Sequence, residues 1–386
     1  MTTPSIPLPP ARNVSWRARR QLGISLVETM VGLTLGLLVT LVITQVWGTF
    51  ESQKQRTISS SSAQVNGLLA LTELEQDIRN AGAGLTDSAA FNCVNIYSYY
   101  QSGGTSVSPI PAYTGSLGMT PVQITDGGTG SDTLTARRSG DFLGAIPGTI
   151  TQAMPSSSAE LNMSSTTGFA IGDIVLAIDS AAGNCTVMLV TQVQSAAQKL
   201  QHNPGDSTTY NPANSFQTSN GWPAYGSGAK IEKVGQLVAH SYGVNSANQL
   251  TLNDLSNPLT SATAVLTADI VSFKAQYGVA NAGSQDVNAW VSATAATGWN
   301  TLNSAKVKRI KAIRVVVVAR SAKREVADVT FPCKNGAGVV VNANGPCVWS
   351  DSEPVVNLSA NSDWKKYRYR IYQTIIPLRN VIWAGV

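Results

Sequence analysis

Gly23-Ile24-Ser25-Leu26-Val27-Glu28 opens a stretch that then runs from Thr29 to Phe50 without a charge or a proline. About 22 residues at ~1.5 Å rise make a helix of roughly 33 Å, enough to cross a hydrocarbon core of ~30 Å. One carboxylate, Glu28, sits at its start. An ionised group at full depth in a bilayer costs roughly 2.5–3.5 kcal/mol or more, so Glu28 needs a partner or an edge position. Arg17, Arg19 and Arg20 lie just before Gly23. A secretory signal has its apolar segment before the cut and a small-x-small site after it, and no such site follows this run. A cut between Gly23 and Ile24 instead leaves the run at a new N-terminus. It also creates an α-amine, cationic at neutral pH, four residues from Glu28.

These residues resemble the class III signal of type IV prepilins and pseudopilins. The resemblance implies a membrane peptidase that cleaves after Gly23 and methylates the amine of Ile24. In that family the first mature residue is usually phenylalanine; Ile24 departs from this, while Gly23 and Glu28 stay in place. The resemblance further implies that Glu28 of one subunit pairs with the Ile24 amine of a neighbour and sets axial register in a filament. The plainer reading of the same residues is an ordinary signal anchor with an incidental glutamate.

The chain has 386 residues, of which 13% are charged, and net charge is +5. Few charges with much Gly, Ser, Thr and Asn suit an extracytoplasmic β-rich protein better than a cytosolic enzyme. Arg12, Arg17, Arg19 and Arg20 precede Gly23 in a segment without acids, so the rest carries only about +1. Nucleic-acid binding therefore gains little from the high pI. The same arginines orient the helix with its C-terminal side outside the cytoplasm. Four cysteines agree with an oxidising compartment. Three pairings are open. Cys333–Cys347 is favoured because Asn335-Gly336-Ala337-Gly338 and Gly345-Pro346 close a short loop easily, and Cys93–Cys185 follows. No Cys-x-x-Cys pair with a nearby histidine supports zinc.

The expected organisation is a leader at 1–23, a transmembrane helix half at 24–50, an amphipathic half at 51–82, and a β-rich periplasmic domain at 83–386. In the amphipathic half Val65, Leu68, Leu71, Leu74 and Ile78 recur at helical spacing, and Gly82 and Gly84 are stop signals. Gly32 and Gly36 form a small-x-x-x-small pair that lets helices approach. Strands are expected at Val94–Tyr100, Pro121–Thr125, Thr133–Arg137, Ile174–Ile178, Thr186–Val193, Ile231–Val238 and Gln249–Leu252. The segments 101–118, 140–167 and 201–228 read as long loops. Around Leu266–Val279 the pattern suggests a short helix leading into a strand. Ile310–Arg320, apolar on both faces through Val315–Val318, reads as a central strand, and Tyr367–Pro377 as another. Lys306, Lys308, Arg309 and Lys311, with Lys366, Arg368 and Arg370, read as a basic surface. Trp290 and Trp299 flank a loop of small residues.

Gly130 through Thr135, Gly172 through Leu176, Phe273 through Val279, Ile310 through Ser321 and Tyr367 through Asn380 together resemble the PilW family of type IV pilus minor pilins. The fold this implies is α+β and pilin-like, with the long helix packed on an antiparallel sheet domain. The function it implies is a minor pilin that helps initiate or cap the filament. Its partners are then other minor pilins and the major pilin through the N-terminal helix, the prepilin peptidase, and the inner membrane before assembly. The rival readings are a J-type minor pseudopilin of type II secretion and a pilus-tip adhesin or DNA-uptake receptor, with a host or DNA ligand.

No nucleophile elbow, phosphate loop or His-Glu-x-x-His motif occurs, and nothing places an acid beside a base, so no enzyme and no cofactor are expected. His202 reads as part of a polar loop and His240 as a strand end. The turn Asp126 through Asp132 offers oxygens for calcium, with Asp126 and Asp132 as ligands, though a plain hairpin loop suits it better.

Overall fold

The computed structural model describes residues 25–85, 93–102, 105–108, 110, 113, 119–140, 146–205, 210–257, 259–260, 262–349 and 356–383. The chain divides into two compact units, one up to Thr57 and one from Ile58. Gly23 and Ile24 lie outside the described residues.

Helix α1 (Leu26–Asn80) forms the described part of the first unit and opens the second. It stops where Gly82 and Gly84 adopt positive φ, a conformation that costs a side-chain-bearing residue about 1–2 kcal/mol. Within the second unit its buried stripe is Ser59, Ala63, Gly67, Ala70, Leu74 and Ile78. Small residues dominate the first four positions, so the helix backbone sits close to the sheet. Val65 and Leu68, expected on the buried face, are 62% and 58% exposed instead.

The strands follow in order. The first are β1 (Asn95–Tyr97), β2 (Tyr100–Ser102), β3 (Thr105–Val107), β4 (Val122–Thr125), β5 (Thr133–Ser139), β6 (Gly148–Gln152) and β7 (Leu161–Met163). Next come β8 (Ile174–Asp179), β9 (Asn184–Leu189), β10 (Gln192–Gln194), β11 (Lys199–Gln201), helix α2 (Asn214–Ser219), β12 (Lys230–Lys233), β13 (Leu237–Val244) and β14 (Gln249–Asp254). The last part holds β15 (Ala262–Ala268), β16 (Ile270–Ala280), β17 (Val287–Val291), α3 (Ser304–Arg309), β18 (Ile310–Arg320), β19 (Cys333–Lys334), β20 (Val340–Asn342), β21 (Tyr369–Pro377) and α4 (Arg379–Trp383).

They form an eight-stranded sheet (β1-β9-β8-β12-β6-β7-β11-β10), a five-stranded sheet (β15-β14-β13-β5-β4) and a four-stranded sheet (β17-β16-β18-β21), with two small hairpins. Pairing is antiparallel throughout except β1 with β9. The fold class is α+β. One core joins Leu74 and Ile78 of α1 to Leu134, Tyr242, Phe273, Tyr277, Val315 and Val317. On its other face β18 packs Val316 and Val318 against Val356, Leu358 and Trp364. Strand β18 is therefore buried on both sides, as its unbroken valine run requires.

Several local expectations change. No helix precedes β16: residues 262–268 are β15, and Asp269 at φ 60° turns the chain directly into β16. The interval 231–238 holds two strands in different sheets, because Gly235 at φ 58° breaks it. Likewise 94–100 and 186–193 each divide into two strands. The segments read as loops at 140–167 and 201–228 contain β6, β7 and α2. Their strands are short and polar, so they leave little periodicity to read.

Candidate assembly helix and the polar clusters of the second unit

Between Leu26 and Phe50, α1 presents its apolar side chains to the outside all the way round; Leu33, Leu38, Trp47 and Phe50 are all more than half exposed. It is the one described helix long and apolar enough to cross a membrane. Its threonines are already satisfied. The hydroxyls of Thr29, Thr34, Thr40, Thr44 and Thr49 each donate to a carbonyl three or four residues back, at 2.8–3.0 Å. Such back-bonding removes the cost of carrying hydroxyls into hydrocarbon. Glu28 has no ion-pair partner among the described residues, so the carboxylate is the group that asks for one. Around Gly32 and Gly36 an added Cβ would meet nothing within 4 Å. That face is open to a neighbouring helix.

The cysteines pair as Cys93–Cys185 and Cys333–Cys347. The first joins the start of β1 to β9; the second closes the β19–β20 hairpin.

The acidic turn does not present itself to calcium. The ammonium of Lys274 sits where a cation would go, 2.7 Å from Asp132 Oδ1, 3.8 Å from Asp126 Oδ1 and 2.8 Å from the Gly128 carbonyl oxygen. Asp132 also accepts from the backbone N–H groups of Gly127 and Ala275. Among the described residues no group of three or more metal-ligating side chains occurs.

The basic surface is not continuous. Lys306 donates to the carbonyls of Gly298 and Thr301, and Arg309 donates to Ala280 while lying over the Trp299 ring. Lys311 is buried. Lys366 pairs with Asp363 and Arg368 with Glu325. His202, expected in a polar loop, is buried and bonded through Nε2 to the Ala159 carbonyl, with burial holding its pKa below the usual value.

An acid does stand beside a base. Asp77 in the last turns of α1 accepts from His240 Nδ1 at 2.5 Å and from the Tyr242 hydroxyl at 2.5 Å, both on β13. The bond to Asp77 raises the His240 pKa, outweighing the opposing effect of burial. Burial opposes ionisation of Asp77, yet the bonds from His240 and Tyr242 hold its carboxyl below the usual range. The sequence does not disclose this cluster because Asp77 lies more than 160 positions from His240 and Tyr242. The only available signal was a lone Asp on the packed part of a helix. The trio ties the helix to the sheet, since Asp77 belongs to α1 and both of its partners to β13.

Residues 236–380 match the family model described as type IV pilus-assembly protein W, PilW. The matched span covers β13 through β21 and the start of α4, and includes the motifs at 273–279, 310–321 and 367–380. The PilW resemblance is thus shown over this part of the chain. A comparison with curated proteins found no match. Among solved structures, a type IV-like pilin from Thermus thermophilus matches at 9% identity over 81% of this chain and 93% of that one, with a TM-score of 0.34. That similarity is too low to carry an argument.

Proposed function

We propose that the protein is a minor type IV pilin, incorporated into the filament through α1 and acting where the filament is initiated or capped. The single observation that carries this reading is an outward-facing apolar helix with one carboxylate at its start that has no ion-pair partner among the described residues, on a chain whose C-terminal part matches PilW. Before assembly, residues 24–50 anchor the chain in the inner membrane, with the domain after them in the periplasm. The prepilin peptidase cuts after Gly23 and methylates Ile24. In the filament Glu28 neutralises the Ile24 amine of a neighbouring pilin, and the Gly32/Gly36 face lets the helices close together.

Mass spectrometry of the N-terminal peptide from purified surface filaments tests the reading. An N-methylated Ile24 terminus is expected. Finding the chain only in membranes, with residues 1–23 still attached, would overturn it.

A further inference from the structure

Strand β21 ends the four-stranded sheet, and its outer edge is unpaired among the described residues. It runs for nine residues, pairs with β18 in unbroken register, carries one charge, Arg370, and has its single proline, Pro377, only at its last position. Edges that long are commonly blunted by bulges, prolines or repeated charges, because their free N–H and C=O groups template another strand. The other end strands of the three large sheets differ: β1, β4 and β10 have three or four residues, while β15, seven residues long and uncharged, and β17 each meet a bulge in pairing with β14 and β16.

A second observation comes from α1. Val65 and Leu68, largely exposed, line a groove of about 540 Å³ together with Gln64, Arg370, Ile371 and Tyr372. Tyr372 lies against Gly67 of the helix. Arg370, two residues away on the strand, shares the helix-facing side of the sheet. Arg370 has no ion-pair partner among the described residues, while Arg368 is paired with Glu325. The groove thus offers an apolar ceiling, a strand edge and one free cation.

We infer that β21 accepts an extended strand from a partner protein, apolar at alternate positions and acidic opposite Arg370. A helix in the groove would cover Val65 and Leu68 but leave the edge N–H groups of β21 unanswered. A strand satisfies both, since its backbone completes the ladder while every second side chain packs under the helix. This interface lies within the second unit and stands whether or not the chain enters a filament.

The test uses the full chain in detergent and a labelled nine-residue peptide. Threonine occupies alternate positions, valines stand between them, and glutamate takes the next-to-last place, where antiparallel pairing sets it opposite Arg370. Controls replace the glutamate with lysine, or two threonines with proline. The glutamate peptide is expected to bind, the proline peptide not to bind, and the lysine peptide to bind a few-fold more weakly, up to about fivefold. Arg370→Glu reverses the preference between the glutamate and lysine peptides, and Leu68→Lys weakens both. Both substitutions are at exposed side chains, and unchanged thermal unfolding checks the fold. Absence of binding, equal binding of the proline peptide, or an unreversed charge preference in R370E would overturn the inference.

Discussion

The ring of Tyr372 lies so close over Gly67 that a Cβ at position 67 would stand 2.2 Å from Tyr372 Cε2. Glycine costs a helix interior about 1 kcal/mol against alanine, so its presence here reflects the contact rather than helix formation. Gly67→Ala gains that propensity but forces the ring aside, and overpacking of this kind costs about 1–3 kcal/mol. We expect net destabilisation of about 1 kcal/mol in urea unfolding. In a Tyr372→Ala background the same change should become stabilising. Equal effects in both backgrounds would show that the contact does not constrain the site.

The Asp77–His240 clamp makes stability depend on pH from both sides. His240 has a raised pKa, so its contribution is fully present below the ordinary histidine value and fades as pH rises through the raised one. Asp77 has a lowered pKa, so its contribution is present above the ordinary carboxylate value and fades as pH falls through the lowered one. The clamp is therefore complete from about pH 4 to about pH 6.5 and weakens on either side. The urea midpoint of the wild type should decline from pH 6 to pH 9 more steeply than that of His240→Ala. Asp77→Ala should cost about 2–3 kcal/mol at pH 6, as hydrogen bonds to a charged group are lost.

Lys274 and Asp132 are both 3% exposed, and each is the other's principal partner. Removing one leaves a buried charge unpaired, at about 3–5 kcal/mol. Lys274→Met should therefore lower the melting temperature sharply. Calcium or a chelator added to the wild type should leave it unchanged, and a calcium-dependent rise would contradict the placement of the ammonium.

The two disulfides close loops of different size, with sequence separations of 92 and 14. Chain-entropy estimates give about 3 kcal/mol for a loop of ~15 residues and nearer 4.7 for ~100. Replacing Cys93 and Cys185 together by serine should thus cost more than replacing Cys333 and Cys347. Denaturation of the two double variants gives the ordering directly.

Glu28→Ala should leave membrane insertion intact, since it removes a charge from an apolar helix. Incorporation into filaments should drop. Filaments that take up the variant at the wild-type ratio, at native expression, would refute the pairing role of Glu28.

What the sequence discloses follows the strength of each physical signal. The run from Thr29 to Phe50 and the valines of β18 are legible because burial or exposure there is uniform over many residues. Gly82 and Gly84 mark the end of α1 because the backbone needs positive φ. The face of the helix after Thr57 departs from its sequence pattern at Val65 and Leu68, which are exposed. Helical spacing of large apolar residues points to core there, whereas close helix–sheet approach puts Ala63, Gly67 and Ala70 in it. Asp126 and Asp132 signal a cation in the sequence, but that the cation is Lys274, more than 140 residues away, depends on tertiary pairing. The same holds for His240, whose partner is fixed only when α1 docks on β13.

The link between Cys93 and Cys185 has a topological consequence. Every peptide bond between those two residues lies inside a covalent ring, so a protease acting on any loop there opens the ring without freeing a fragment. Strands β1 to β8 all lie within it. A chain built this way tolerates nicking over about a quarter of its length, and damage would be visible only after reduction, as a shift from one band to two.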